Sequence, residues 1–227
     1  MEITFIGHAT FELAEGDARV LIDPFLAPNN PVAKVSADDV EPTHVLLTHA
    51  HSDHTADAVA VAKRTGAECV AITELAGWLE GQGVEKVTNP NLGGTVEFDW
   101  GSVRLVPALH TTTTPDGTPG GVTAGLVIEI GGMTVYHLGD TALFSDLALV
   151  PKRSPVDVAL IPIGGHFTMD RHDAAEAAAL IAATTVIPCH YNTFPQVAAD
   201  AEAFKADVES QTSSEVVILE PGESWSA

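Results

Sequence analysis

The sequence has 227 residues, of which 45% are hydrophobic and 18% charged, a composition that excludes a disordered chain and suffices for a buried core. Its formal net charge of −21, from 31 acidic and 10 basic residues, disfavours nucleic acid and anionic membranes as partners. The acidic surface serves solubility or, alternatively, adaptation to high salt.

The first residues of the chain are typical of a strand and lack the basic segment that begins a secretory signal. No apolar stretch reaches the roughly 20 residues of a membrane span. We therefore expect a cytoplasmic protein with a small-molecule substrate and with neither a nucleic-acid nor a membrane partner. The two cysteines, Cys69 and Cys189, share no motif spacing, so we expect reduced core thiols rather than a disulfide.

The first half of the chain alternates short strands with helices. Period-two alternation, turn residues and one buried apolar run predict the strands, and an amphipathic pattern predicts the helices. The predicted strands are 2–6, 10–13, 19–22, 45–47, 68–72 and 84–87, and the predicted helices are 56–64 and 74–79. A turn-rich segment at 89–94 ends this half.

The second half repeats this plan. Its predicted strands are 95–98, 102–107, 124–130, 133–137, 156–161, 185–188 and 215–219, and its predicted helices are 173–183 and 199–209. Each half begins with meandering strands and finishes with strand–helix units. This pattern fits two sheets packed face to face with helices outside, a four-layer αββα sandwich of the α/β (α+β) class. Because no linker or low-complexity segment is visible, we expect residues 1–227 to form a single domain.

The most informative segment is His49-Ala50-His51-Ser52-Asp53-His54, which places three imidazoles and a carboxylate directly after a buried strand. Without a cation, their lone pairs would converge with nothing to neutralise them. Imidazole nitrogen and carboxylate oxygen together suit zinc and neighbouring divalent transition metals. Further candidate ligands follow later strands, at His110, Asp140 and His190. Ligands delivered from several strand ends to one sheet edge form a rigid site.

The pattern His-x-His-x-Asp-His, followed by His110, a Gly-Asp pair at 139–140 and His190, resembles the metallo-β-lactamase superfamily over nearly the whole chain. This resemblance implies the αββα fold and a dinuclear metal site. The implied ligands are His49, His51 and His110 for the first metal, Asp53, His54 and His190 for the second, and Asp140 as the bridge. It also implies that a hydroxide shared by the two ions attacks a carbonyl or phosphoryl centre.

Five segments resemble more closely the lactonase-like metal-dependent hydrolases related to ascorbate-6-phosphate lactonase. They are residues 5–11, 21–25, 137–141, 164–169 and 188–193. His166 departs from this subgroup, whose members we expect to carry asparagine there, although an imidazole can still donate to a substrate oxygen. The resemblance determines the chemistry better than the substrate.

Three catalytic side chains are predicted, namely Asp53, His8 and His166. We expect His8, on the turn after the first strand, to bind substrate or to donate a proton; a turn histidine bonded to backbone is the alternative. For His166, substrate contact and packing at the start of a helix are both open. We expect Asp23 to orient a metal-ligating histidine, and Asp57 to supply early-helix charge or similar support.

Two surface features are open to alternative interpretations. The polar loop 111–121 follows His110, and its four threonines at 111–114 form either a lid that cradles a phosphate or polyol or a simple hairpin tip. Homo-oligomer formation through Phe144, Leu147 and Leu149 is open as well, because a core role fits these residues equally well.

We therefore expect a metal-dependent hydrolase that opens a lactone, ester or amide of a small polar substrate. The cofactors are two divalent metal ions, zinc being favoured by the histidine-rich ligands and manganese or iron being alternatives. The alternative function is a phosphodiesterase acting on a small phosphorylated or cyclic nucleotide-like substrate. A redox role and a non-catalytic binding module are disfavoured, because the sequence carries no flavin domain and all seven ligand positions are filled.

Overall fold

The computed structural model describes residues 1–226, whose strands form two seven-stranded sheets. The first sheet contains β1 (Glu2–Gly7), β2 (Thr10–Glu15), β3 (Ala18–Ile22), β4 (His44–Leu46), β5 (Glu68–Val70), β6 (Val87–Thr88) and β14 (Glu223–Ser226). The second contains β7 (Thr95–Phe98), β8 (Gly101–Pro107), β9 (Ala124–Ile130), β10 (Met133–His137), β11 (Val158–Pro162), β12 (Thr185–Cys189) and β13 (Glu215–Val216). The α-helices are α1 (Ser52–Thr55), α2 (Ala58–Thr65), α3 (Thr73–Gly81), α4 (Val150–Arg153), α5 (Arg171–Ile181) and α6 (Ala201–Gln211). None of the helices in this range has the length and apolar character that crossing a membrane requires.

Each sheet combines an antiparallel part with a parallel part. The first runs β14-β1-β2-β3-β4-β5-β6 and is antiparallel as far as β3, then parallel. The second runs β13-β12-β11-β10-β9-β8-β7 and is parallel from β13 to β10, then antiparallel. As a result β1, β3 and β4 point the same way, and so do β8, β10, β11 and β12. Their carboxyl ends therefore meet at one edge of each sheet.

The core lies between the sheets and beneath the outer helices. In β11, Val158 and Leu160 belong to the apolar cluster shared by the two sheets, whereas Ala159 and Ile161 pack with α5 and α6 on the outer face. This alternation follows from the period of two of a strand, and burial on both faces explains why β11 is apolar throughout. The expected four-layer αββα fold is thereby confirmed.

The element boundaries differ from the sequence prediction in a few places. The helix predicted at 56–64 is divided: α1 starts earlier, at Ser52, and α2 runs from Ala58 to Thr65. Gly66, which has a left-handed φ of +71°, follows α2 and terminates it. The strand predicted at 84–87 shortens to β6. The last strand, β14, was not predicted; it exists because it pairs with the edge of β1, where Ile3 lies opposite Trp225.

Candidate metal centre

All seven predicted metal ligands lie beyond the carboxyl ends of strands that point the same way. His49 to His54 follow β4, and His110, Asp140 and His190 follow β8, β10 and β12. Two backbone hydrogen bonds join the two sheets at this edge, from His190 N to His8 O at 2.7 Å and from Ala124 N to Thr48 O at 2.9 Å. The fold therefore brings residues from both halves of the chain to one place.

The first group consists of His49, His51 and His110. Nδ1 of His51 lies 3.1 Å from Nε2 of His49 and 3.3 Å from Nε2 of His110, so three ring nitrogens converge. Burial lowers the pKa of each of these rings, most strongly that of the fully buried His49. The neutral imidazole favoured in this way is the form that binds a metal ion.

The second group consists of Asp53, His54, His190 and also His8. Oδ2 of Asp53 lies 3.9 Å from Nε2 of His190 and 3.1 Å from Nε2 of His8. Burial alone would raise the pKa of Asp53, but the hydrogen bond from His8 and the charge of His54 lower it below its ordinary value. Asp53 is therefore a carboxylate at neutral pH.

The carboxylate of Asp140 lies between the two groups. Its Oδ2 is 3.8 Å from His49 Nε2, 3.6 Å from His110 Nε2 and 3.2 Å from His190 Nε2, and its Oδ1 is 3.4 Å from His54 Nε2. Although burial acts to raise the pKa of Asp140, the charges of His190 and His54 hold it well below its usual range. Among the described residues 1–226, Asp140 is thus the one carboxylate within 4 Å of histidine nitrogens from both groups.

Several buried atoms of this cluster have no hydrogen-bond partner within the described chain. They are Nε2 of His54, Oδ1 of Asp140 and both ring nitrogens of His190. Leaving such polar atoms unpaired costs free energy, so a native cluster of this kind calls for a partner outside the protein chain. Converging imidazole nitrogens and carboxylate oxygens fit divalent metal ions.

Asp23 contacts the predicted metal ligand His54, as expected from the sequence. Its Oδ2 accepts hydrogen bonds from Nδ1 of His54 at 2.8 Å and from the hydroxyl of Thr48 at 2.6 Å, and its Oδ1 accepts from the Thr48 backbone N–H at 2.8 Å. Burial lowers the pKa of His54, but the carboxylates of Asp140 and Asp23 outweigh it and raise the pKa well above its ordinary value. With its oxygens already engaged, Asp23 orients His54.

His8 lies inside the cluster, and its ring contacts side chains in place of the alternative backbone contact. Nδ1 of His8 lies 2.8 Å from the hydroxyl of Thr193, and the His8 ring packs on the His190 ring with a centroid separation of 3.9 Å. Burial lowers the pKa of His8 to about 4, so the ring is neutral near pH 7. Thr193 was missed by the sequence analysis, and its position three residues after His190 was the available signal.

His166 and Asp57 lie differently from the predicted ligands. His166 is exposed, and its ring makes an edge-on contact with Phe167 at a centroid distance of 4.6 Å. Its catalytic role stays a prediction. The carboxylate of Asp57 accepts from the Leu26 backbone N–H at 2.7 Å and from the Asn29 amide at 2.9 Å, so it supports the segment after β3.

The threonine-rich loop uses two of its four hydroxyls to hold its own conformation. The Thr112 hydroxyl accepts from the Ala50 backbone N–H at 2.8 Å, which ties the loop to the histidine-rich turn. The Thr114 hydroxyl donates to the carboxylate of Asp116, which also accepts from the indole of Trp78 at 2.9 Å. The Thr114 hydroxyl is thus engaged within the loop, whereas a lid that uses the other hydroxyls stays a prediction.

A cavity of about 500 Å³ opens beside Asp53. It is lined by Phe25, Asn29, Ser52, Asp53, Ala56, Phe167, Phe194 and Gln196. Phe167 and Phe194 were not predicted as site residues. Their closeness in sequence to His166 and His190 was the available signal.

Comparisons with known proteins find relatives over nearly the whole chain. A family model described as a beta-lactamase superfamily domain matches residues 2–190. A UPF0173 metal-dependent hydrolase of Natranaerobius thermophilus is 45% identical over 224 residues, which cover 99% of this chain and 98% of the relative. Another, of Methanopyrus kandleri, is 47% identical over 229 residues, which cover 99% of each chain. The solved structure of a metallo hydrolase from Ignicoccus hospitalis is similar with a TM-score of 0.89 and 36% identity, covering 99% of this chain and 97% of that chain.

Proposed function

This chain belongs to the metallo-β-lactamase superfamily as a metal-dependent hydrolase, and we propose that it uses two divalent metal ions to hydrolyse a lactone, ester or amide. The observation that carries the proposal is the position of Asp140. Its carboxylate lies 3.2–3.8 Å from ring nitrogens of His49 and His110 on one side and His54 and His190 on the other. A carboxylate between two sets of imidazoles is the arrangement expected of a bridging ligand.

We assign the ligands by the two groups. His49, His51 and His110 would hold the first ion, Asp53, His54 and His190 the second, and Asp140 both. Five of these seven donors are imidazoles, which favours zinc over manganese or iron. When bound, the ions would supply a hydroxide at near-neutral pH and polarise the carbonyl oxygen of the substrate.

The protein itself supplies a hydrogen-bonding pair at Asp53 and His8. A neutral His8 satisfies both of its contacts when its Nε2–H donates to Asp53 and its Nδ1 accepts from the Thr193 hydroxyl. In this tautomer Nε2–H points to the carboxylate of Asp53, which is itself a proposed metal ligand. We assign Nε2–H of His8 to donate a hydrogen bond to the leaving-group oxygen as negative charge develops there, and Asp53 to hold that N–H in place beforehand.

A phosphodiesterase would use the same metal ligands. Only the choice of substrate therefore distinguishes it from a hydrolase that acts on a carbonyl group. We propose to load the purified protein with zinc and to measure hydrolysis of γ-butyrolactone, an aryl ester, an anilide and bis(p-nitrophenyl) phosphate. Asp140→Asn, checked for folding by circular dichroism, is the matched variant because it keeps the shape and removes the charge. We expect hydrolysis of at least one carbonyl substrate and a loss of about 100-fold or more in the variant. Hydrolysis of the phosphodiester alone, or an active Asp140→Asn variant, would overturn the assignment.

A further inference from the structure

The cavity beside Asp53 has an aromatic wall formed by Phe25, Phe167 and Phe194. The rings of Phe25 and Phe194 lie 6.2 Å apart between centroids. Phe25 is buried, whereas Phe167 is 53% exposed and is the one aromatic among the exposed large hydrophobic residues of the described chain. An exposed aromatic ring at the rim of a cavity next to chemically active groups is typical of a ligand contact.

The remaining lining residues determine the charge of a suitable ligand. Asn29, Ser52 and Gln196 are neutral, and Asp53 is the one charged residue among the lining residues that the structure describes. The Asn29 amide already donates to Asp57. A phosphate or carboxylate placed against this lining would lose hydration and meet no cationic side chain, in a chain of net charge −21. The lining therefore favours an uncharged group.

The aromatic wall also contacts His8, which pairs with Asp53. The ring centroids of Phe25 and Phe194 each lie 5.6 Å from that of His8, both in edge-on geometry. His8 in turn lies 3.1 Å from Asp53, which itself lines the cavity. A group held against the aromatic wall would thus lie beside His8 and Asp53, where the proposed function puts the bond to be cleaved.

We propose that this cavity binds a neutral aromatic group of the substrate, which makes aryl or arylalkyl esters, lactones and amides the preferred class over small polar or phosphorylated compounds. The inference rests on the proposed function. The flat rings of Phe167 and Phe194 offer stacked or edge-on contacts to such a group, and its burial removes apolar surface from water at both partners.

Matched substrates test the preference. Methyl phenylacetate and methyl acetate differ by one phenyl group, and we expect the zinc-loaded protein to hydrolyse the first with kcat/KM at least about 10-fold higher. Phe167→Ala and Phe194→Ala should reduce this ratio to within about 3-fold, mainly by raising KM for methyl phenylacetate. Leu149→Ala is the control, because Leu149 is 54% exposed and does not line the cavity; its ratio should equal that of the unmodified protein.

A binding measurement on metal-free protein separates this inference from the proposed function. We expect saturation-transfer NMR to show binding of phenylacetamide but not of acetamide, and Phe167→Ala to abolish it; because Phe167 is half exposed, this variant should fold normally. Binding without hydrolysis of any carbonyl substrate would contradict the proposed function and support the aromatic subsite. Equal hydrolysis of both esters, with unchanged Phe167→Ala and Phe194→Ala variants and no phenylacetamide binding, would overturn the subsite and leave the hydrolase assignment intact.

Discussion

Nδ1 of His54 lies 2.8 Å from Oδ2 of Asp23, and both side chains are fully buried. Two hydrogen bonds from Thr48 hold the carboxylate of Asp23 in turn. Because Nδ1 is engaged, the other ring nitrogen of His54 faces Asp140 at 3.4 Å. The orientation of this proposed ligand is therefore determined by the protein before a metal ion binds.

Asp23→Asn should weaken metal binding without removing any proposed ligand. The substitution keeps the size of the side chain but removes the charge that fixes the His54 ring, so we expect an affinity about 10- to 100-fold lower. Competition with a chromophoric chelator measures the change. Asp57→Asn is the control, since this buried carboxylate contacts Leu26 and Asn29 instead of a proposed ligand. Equal affinities in the two variants would show that Asp23 does not orient His54.

Thr193→Val should reduce turnover while metal content is retained. The substitution removes the hydroxyl that contacts His8 at 2.8 Å, so the ring is no longer held toward Asp53. We expect kcat to fall about 10-fold with little change in KM, and the pH profile of kcat to change in shape. Thr193→Ser should restore the activity because it restores the hydroxyl. If Thr193→Ser were as slow as Thr193→Val, packing of the methyl group would be the cause.

Much of this site is readable from the sequence because metal ligands follow strand ends. The apolar run before His49 and the apolar run before His190 are local signals, and each predicts both a strand and the residue that leaves it. The fold class follows from the same pattern, since each half of the chain meanders and then alternates strands with helices. These conclusions depend on residues that are near one another in the chain.

The features of the fold and the site that were not predicted depend on contacts between distant segments, for which the chain has no local signal. Thr193 and His8 are separated by 185 residues, and the pairing of β14 with β1 joins the two ends of the chain. The aromatic cavity likewise combines Phe25 with Phe194. A pattern of hydrophobic residues cannot specify which side chains share a wall, because that depends on the packing of the two sheets.

Both thiols should be unreactive in the folded protein. Cys69 and Cys189 are buried and free, as expected from their spacing, and burial raises the pKa of both, to about 12 for Cys69. The thiolate is the reactive form of cysteine. With the pKa raised, it forms only at a higher pH than the thiolate of an exposed cysteine does. Ellman's reagent at pH 8 should therefore detect no thiol in the native protein and two in urea. Rapid reaction of a thiol in the native protein would contradict this expectation.

Potassium chloride should raise the free energy of unfolding. A net charge of −21 gives the compact state unfavourable self-repulsion, and salt screens it. Urea unfolding at increasing KCl measures the effect. A gain that continues well above about 0.15 M would support adaptation to high salt, whereas a plateau below it would leave solubility as the role of the acidic surface.

The metal content of the purified, zinc-loaded protein tests the two-metal assignment most directly. Inductively coupled plasma mass spectrometry should find about two ions per chain in the unmodified protein. It should find about one in His110→Ala, which weakens the first group, and about one in His190→Ala, which weakens the second. A single ion in the unmodified protein, or two ions retained in both variants, would contradict the assignment of two metals bridged by Asp140.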